Sequence, residues 1–275
     1  MADPSSPPLN PFPGLRPFEF HENHLFFGRD TQTDELLRRL RLNRFLAVIG
    51  SSGSGKSSLV RAGLLPDLCG GFMVKAGSSW RITVCRPGDD PVHNLAVKLS
   101  GADVLGAPER DATVQTGILE MTLRRSALGL VEVVRETRMA QTENLLVVVD
   151  QFEELFRFKP ASSGVHPEDE PAAFVKLLLN AARQDQLPIY IVITMRSDYL
   201  GDCAQFRDLP ETINEGMYLI PRMTRDQRRE AITGPVAVGG GQIAPRLVNR
   251  LLNDVTENPD QLPILQHALM RTWDF

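Results

Sequence analysis

A chain of 275 residues with 42% hydrophobic side chains can bury one large core or two modest ones. Its formal net charge of −4 gives no reason to invoke nucleic acid or an anionic membrane as an obligate partner. Its longest apolar runs are about five or six residues, against the ~18–20 needed to span a bilayer.

Three cysteines, Cys69, Cys85 and Cys203, stand far apart with no metal-ligand spacing, which suits a reducing compartment. The amino terminus has no basic segment followed by an apolar run, so no secretory signal is expected and the location expected is cytoplasmic.

In chain order, residues 1–13 are rich in proline and serine and read as a disordered leader. Residues 14–30 carry Phe18, Phe20, Phe26 and Phe27, dense for a loop, which predicts an extended segment packed on a domain. A helix capped by Asp30 or Thr31 runs to about Asn43, with Leu36, Leu37 and Leu40 on one face. A strand over 44–49 follows, then a glycine-rich turn, then a helix over 56–68 with Pro66 awkwardly near its end. Residues 80–86 alternate as a strand. Helices are predicted over 91–100 and over 113–139, the second broken at Gly129.

Residues 145–150, LLVVVD, form a continuous apolar run of the kind buried on both faces of a parallel sheet. A polar excursion over 159–171, a helix over 171–184, a strand over 189–194 and a short strand over 217–220, ending at Pro221, complete an α/β alternation. From 224 the pattern changes to three helices, 224–232, 245–256 and 262–273. The expected domains are an α/β core over 14–223 and a helical subdomain over 224–275, with a longer native protein expected. Two arginine clusters, 38–41 and 225–229, read as solvated helix faces.

The chemistry centres on FLAVIGSSGSGKSS, residues 45–58. Gly50, Gly55, Lys56 and Ser57 satisfy G-x-x-x-x-G-K-[ST] between a strand and a helix. Gly50, Gly53 and Gly55 let successive main-chain N–H groups turn inward on a polyanion, and the positive end of the helix points the same way. Ser52, Ser54 and Ser58 complete the loop. Lys56 reaches the β- and γ-phosphates and Ser57 ligates Mg²⁺.

A second constellation is LLVVVDQFEELF, residues 145–156. Asp150, at the carboxyl end of its strand, is the metal-side carboxylate, or else a helix cap. Glu153 or Glu154 orients or deprotonates the attacking water, with Glu154 favoured, unless both are a solvated face. In ITMRSD, Arg196 closes a buried strand and either senses the γ-phosphate or makes a structural ion pair, and Asp198 caps the next helix. No Asn-Lys-x-Asp tetrapeptide occurs, which favours adenine over guanine.

Together these motifs resemble the STAND class of signal-transduction NTPases, and within it the bacterial novel STAND NTPase 1 group. The resemblance rests on PFPGLRPFEF…LFFGRD, DQFEELF and QLPILQHALMRTW, and spans about residues 12–275. It implies a P-loop NTPase sandwich with a mostly parallel sheet, followed by a small helical subdomain. It also implies an adenine-side segment at Phe27, Gly28 and Arg29, a γ-phosphate sensor at Arg196, and base packing by Pro263, with Pro221 on the same side. Two positions depart from the pattern. Gln261 stands where related proteins have glycine, and Gln151 follows the aspartate where AAA+ proteins have glutamate, which suggests slow hydrolysis. The implied function is an ATP/ADP-dependent, Mg²⁺-using switch that forms a homo-oligomer when activated. Effector and sensor domains would lie outside this chain. The rival expectations are a constitutive remodelling ATPase and a non-hydrolysing nucleotide-stabilised scaffold.

Overall fold

The computed structural model describes residues 10–71, 79–106, 111–137, 139, 143–157, 170–254 and 261–273. Residues 1–9 of the expected leader over 1–13 and most of the expected excursion over 159–171 lie outside them; residues 10–13 lie inside, and Phe12 is buried there where a disordered leader was expected. The chain divides into two compact units. One comprises residues 36–49 and 68–219; the other comprises 1–35, 50–67 and 220–275.

The first unit is built on a five-stranded parallel sheet: β1 (Phe45–Gly50), β2 (Trp80–Cys85), β3 (Asn144–Val149), β4 (Ile189–Arg196) and β5 (Met217–Leu219), in spatial order β2-β3-β4-β1-β5. β1 and β3 are buried at every position, as strands covered on both faces must be. Register pairs Leu145 with Ile189 and Val149 with Ile193. The next position in this register sets Asp150, just past β3, beside Thr194 of β4 at the carboxyl edge of the sheet, where parallel sheets place ligands.

Among the described residues six helices accompany the sheet: α4 (Pro91–Leu99), α5 (Ala112–Arg125), α6 (Gly129–Glu136), α7 (Glu154–Arg157), α8 (Glu170–Arg183) and α9 (Leu209–Gly216). Asp90 caps α4 by accepting the His93 N–H at 2.9 Å, and Asp111 caps α5. The expected break in the 113–139 helix falls at 126–128, and Gly129 opens α6. A Cβ at Gly129 would stand 2.6 Å from the Thr122 and Leu123 carbonyl oxygens, so only glycine lets α6 start beneath the end of α5.

Residues 197–216, where the sequence indicates a helix only through a cap at Asp198, hold two 3₁₀ turns (Ser197–Tyr199 and Gly201–Gln205) and α9. Their pattern is too polar and too short to show a helical period. Asp198 caps neither turn, since Arg196 and Leu200 hold those positions, and α9 is preceded by Asp208.

α1 (Asp30–Leu42) crosses from one unit to the other, with Leu36 and Leu40 fully buried. Arg39, expected on a solvated face, is half-buried. Its guanidinium donates to the Met217 carbonyl and lies 5.4 Å from the centre of the Tyr218 ring, so its stem and charge are used in packing.

In the second unit, helix follows the glycine-rich turn in three joined stretches: α2 (Lys56–Ser58), a π-helical stretch (Leu59–Leu64) and α3 (Leu65–Cys69). Leu65 donates to the carbonyl of Val60, five residues back. This wider turn accounts for Pro66. A proline ring clashes with the carbonyl four residues before it, and a π turn is where the ladder yields.

The segment 14–30, expected to be extended, contains a 3₁₀ helix (Phe20–Leu25). Phe18, Leu25 and Ala62 form a small cluster with Phe26 against it. The carboxy-terminal helices are α10 (Arg225–Val238), α11 (Pro245–Asp254) and α12 (Gln261–Trp273). α10 outruns its expected end at 232 and carries Pro235 inside it. Phe12 packs into the core of these helices with Ile232, Val236 and Leu269. Asn10 reaches the Met270 carbonyl at 2.9 Å.

Candidate functional site

The residues singled out from the sequence fall into two groups, one in each unit. In the second unit, Gly50 closes β1 and the chain turns through Ser51–Gly55 into α2. Gly53 and Gly55 take φ of +67° and +86°, the left-handed region that side chains with a Cβ avoid. A Cβ on Gly55 would meet nothing within 4 Å, so this glycine is required by dihedral angle and not by space. Gly55 holds the N-cap position and offers no side-chain acceptor, so the first N–H groups of the helix remain directed outward, as anion binding requires.

Lys56 Nζ lies over the loop, donating to the Gly50 and Ser51 carbonyls at 3.1 and 2.8 Å. The Ser54 hydroxyl is buried and has no hydrogen-bond partner among the described residues. Ser52 is exposed and Ser57 half-buried. Ser58 Oγ accepts the Phe18 N–H at 3.2 Å, which ties the aromatic segment to the first turn after the loop. Left-handed glycines, an uncapped helix start, a buried hydroxyl without a partner and a lysine over the loop are the donors a polyphosphate calls for.

Of Phe27, Gly28 and Arg29, Arg29 reaches this loop and the other two lie against α10. Arg29, 5% exposed, donates to the Pro221 carbonyl at 2.9 Å and to the Ser54 carbonyl at 3.3 Å. Gly28 has φ +79°, and a Cβ there would stand 2.3 Å from the Gln227 carbonyl oxygen of α10. Phe27 lies on α10 at Gly234, where an added Cβ would come within 2.5 Å of its ring. Pro263 sits half-buried in the first turn of α12.

In the first unit, Asp150 is 1% exposed and is oriented by a residue that the sequence did not single out. Thr194 Oγ1 donates to Asp150 Oδ1 at 2.6 Å and accepts the Gln151 N–H at 3.0 Å. The Phe152 N–H donates to the Thr194 carbonyl at 2.9 Å. Gln151 has φ +60°, a strained conformation for a residue with a Cβ. The available signal was a lone hydroxyl near the end of the apolar run IYIVIT, whose value depends on strand register.

Glu154 is engaged at both carboxylate oxygens. One accepts the Gly88 N–H at 3.0 Å; the other accepts from the Gln151 amide at 3.0 Å, in the amide orientation that also accepts from Arg86 at 3.1 Å. Glu153 is 5% exposed and accepts the Arg196 N–H at 3.4 Å.

The Arg196 guanidinium is held in two-pronged fashion by Asp198, at 2.6 and 3.1 Å, and lies 5.6 Å from the Tyr199 ring centre. Its bond to Asp198 raises its pKa further. Burial pushes the thiols of Cys85 and Cys203 up to about 12 and about 11, so neither is a ready nucleophile.

The sequence matches the family described as novel STAND NTPase 1 over residues 11–275. The chain belongs to that family. As a member of it, the protein is a P-loop NTPase of the STAND/AAA+ type. Solved structures with the same fold include a Walker-type ATPase of Pyrococcus abyssi (TM-score 0.56, 16% identity, covering 94% of this chain and 71% of that one). The ORC2 protein of Aeropyrum pernix is similar at TM-score 0.56 and 12% identity, covering 90% of this chain and 61% of that one. Cdc6p of Pyrobaculum aerophilum is similar at TM-score 0.51 and 14% identity, covering 99% and 64%. No curated protein sequence matched the chain. Among the described residues no helix is long and apolar enough to cross a membrane.

Proposed function

We propose that this NTPase is an ATP-dependent switch of slow turnover whose nucleotide state is passed to helices α10–α12. The observation that carries this reading is Arg29. It joins the phosphate-loop turn (Ser54) to the Pro221 carbonyl, while Gly28 beside it packs main chain to main chain on α10. The segment assigned to the base is thus continuous with the helices that a switch must move.

In this reading the N–H groups of the loop and Lys56 hold the phosphates, and Phe27, Gly28, Arg29, Pro221 and Pro263 form the base side. Ser57 and Asp150 hold Mg²⁺, which when bound offsets phosphate charge. Arg196 reports the γ-phosphate, and to do so it leaves Asp198. Glu153 takes the water-orienting role more readily than Glu154, because both Glu154 oxygens already have donors. Glu153 is itself buried and accepts the Arg196 N–H, which supports slow hydrolysis. Assembly of the ATP form, and effector and sensor parts beyond this chain, belong to the same proposal.

The test is mass by light scattering, and nucleotide content by chromatography, before and after Mg-ATP. ADP on a monomer that becomes a larger species with ATP is the expected result. Rapid turnover at constant mass would overturn the switch in favour of a constitutive ATPase, and binding with no phosphate released in favour of a scaffold.

A further inference from the structure

The outward face of α5 is apolar where a surface helix is ordinarily polar. Val114 is 58% exposed, Ile118 43% and Met121 75%, with Gly117 exposed among them. The inward face is already occupied, with Gln115, Leu119, Thr122 and Leu123 buried. The helix therefore has one packed side of mixed character and a second, apolar side that is exposed. The spacing 114, 117, 118, 121 is a single stripe along a helix, and a contiguous exposed stripe of this kind marks an interaction surface.

In an antiparallel pair about a two-fold between Gly117 and Ile118, Val114 of one copy faces Met121 of the other, Gly117 faces Ile118, and Asp111 faces Arg124. At Gly117 an added Cβ would meet nothing within 4 Å, so the fold of the chain itself does not demand glycine there. A glycine at the centre lowers the ridge and lets a second helix approach closely.

The charges complement each other in the same sense. Asp111 is exposed at the start of α5; Arg124 and Arg125 are exposed in its last turn. Arg124 already serves Asp90, Glu120 and Glu170. Arg125 keeps a 62% exposed side chain beside Glu132. An antiparallel partner sets Asp111 and the positive helix end against the arginines and the negative end. A parallel partner would set like charges together.

We propose that this face docks a second copy of the chain, α5 against α5, antiparallel, about a two-fold axis at Gly117–Ile118. A pair of 14-residue helices falls short of the ~800 Å² per partner typical of a stable interface, so the dimer is weak and concentration-dependent. This inference does not rest on the nucleotide switch, and its test uses nucleotide-free protein.

Sedimentation over a wide concentration range is expected to show a reversible monomer–dimer equilibrium. Met121→Glu and, separately, Ile118→Glu are each expected to weaken it at least about tenfold, with unchanged melting temperature because both side chains are exposed. In a Cys69→Ser background, Gly117→Cys is expected to form a self-disulfide on oxidation far faster than Leu219→Cys, a control that is also exposed (58% at Leu219). A two-fold brings residue 117 to its own copy; a head-to-tail contact does not. A wild-type protein that stays monomeric throughout would overturn the proposal and leave the face to another partner. Dimerisation unaffected by Met121→Glu, or equal cross-linking at the two cysteines, would overturn it as well.

Discussion

The phosphate loop and the acidic turn after β3 are built by opposite means. The loop is made of main chain. Its donors are N–H groups, its shape comes from left-handed glycines, and the residues that shape it are adjacent in sequence. The acidic turn is made of side chains. Asp150 is aimed by Thr194 from the neighbouring strand, and Glu154 is held by Gly88 from the loop after β2. A main-chain site tolerates change in its side chains but not in its dihedral angles. A side-chain site tolerates the reverse. Substitutions at four positions bear on that contrast, and one at a fifth serves as a control.

The largest expected effect is Lys56→Ala, which removes the charged side chain lying over the loop. Triphosphate affinity should fall at least about 100-fold, the loss of charge-assisted bonds worth roughly 3 kcal/mol. Calorimetry that finds unchanged affinity removes the phosphate-loop assignment.

Gly28→Ala tests the main-chain rule. The left-handed φ and the Gln227 carbonyl 2.3 Å from the new Cβ should together cost about 2–3 kcal/mol, read as a lower melting temperature. A small effect would mean that α10 yields easily.

Thr194→Val tests the side-chain rule. It removes both bonds of Thr194 Oγ1, the one given to Asp150 and the one accepted from the Gln151 N–H, at about 2 kcal/mol, while Thr194→Ser should restore most of the loss. The Mg²⁺ dependence of nucleotide binding should move in the valine variant and return in the serine variant. Equal behaviour of the two variants would show that Thr194 only fills space.

Arg196→Ala should spare ADP affinity and reduce the preference for ATP about tenfold, a charged hydrogen bond of ~1.4 kcal/mol. Equal loss for both nucleotides would make the Asp198 pair the whole role of Arg196.

The smallest effect is a control remote from both regions. His93 Nδ1 lies 2.7 Å from Glu120, and that bond raises the pKa of the histidine. A raised folded value adds stability below the unfolded pKa of about 6.5 and loses it as pH climbs through the folded one. With 45% of the side chain exposed, the contribution stays under about 1 kcal/mol. The melting temperature of wild type should exceed that of His93→Gln near pH 6, and the gap should close as the pH rises through the raised folded value. A gap that widens with pH would contradict the ion pair.

The sequence alone determined whatever depends on neighbours along the chain. The buried strand at 145–149 is a run of apolar residues, and the phosphate loop needs glycines at fixed offsets; both facts are local, so both were legible. α9 was not, because among its eight residues only Leu209 and Ile213 are strongly apolar, too few to show a period until the fold buries Thr212 and Gly216 beside them. The grouping of α10–α12 with residues 10–35 was equally invisible, since it rests on contacts such as Phe12 with Leu269. Asp150 as a functional acid could be read from its place at a strand end; its aim could not. A carboxylate takes its orientation from the donors around it, and those come from strands whose register is decided only when the sheet assembles. Likewise the sequence offered Arg196 both a phosphate and an ion pair, and the tertiary structure set Asp198 within 2.6 Å of it.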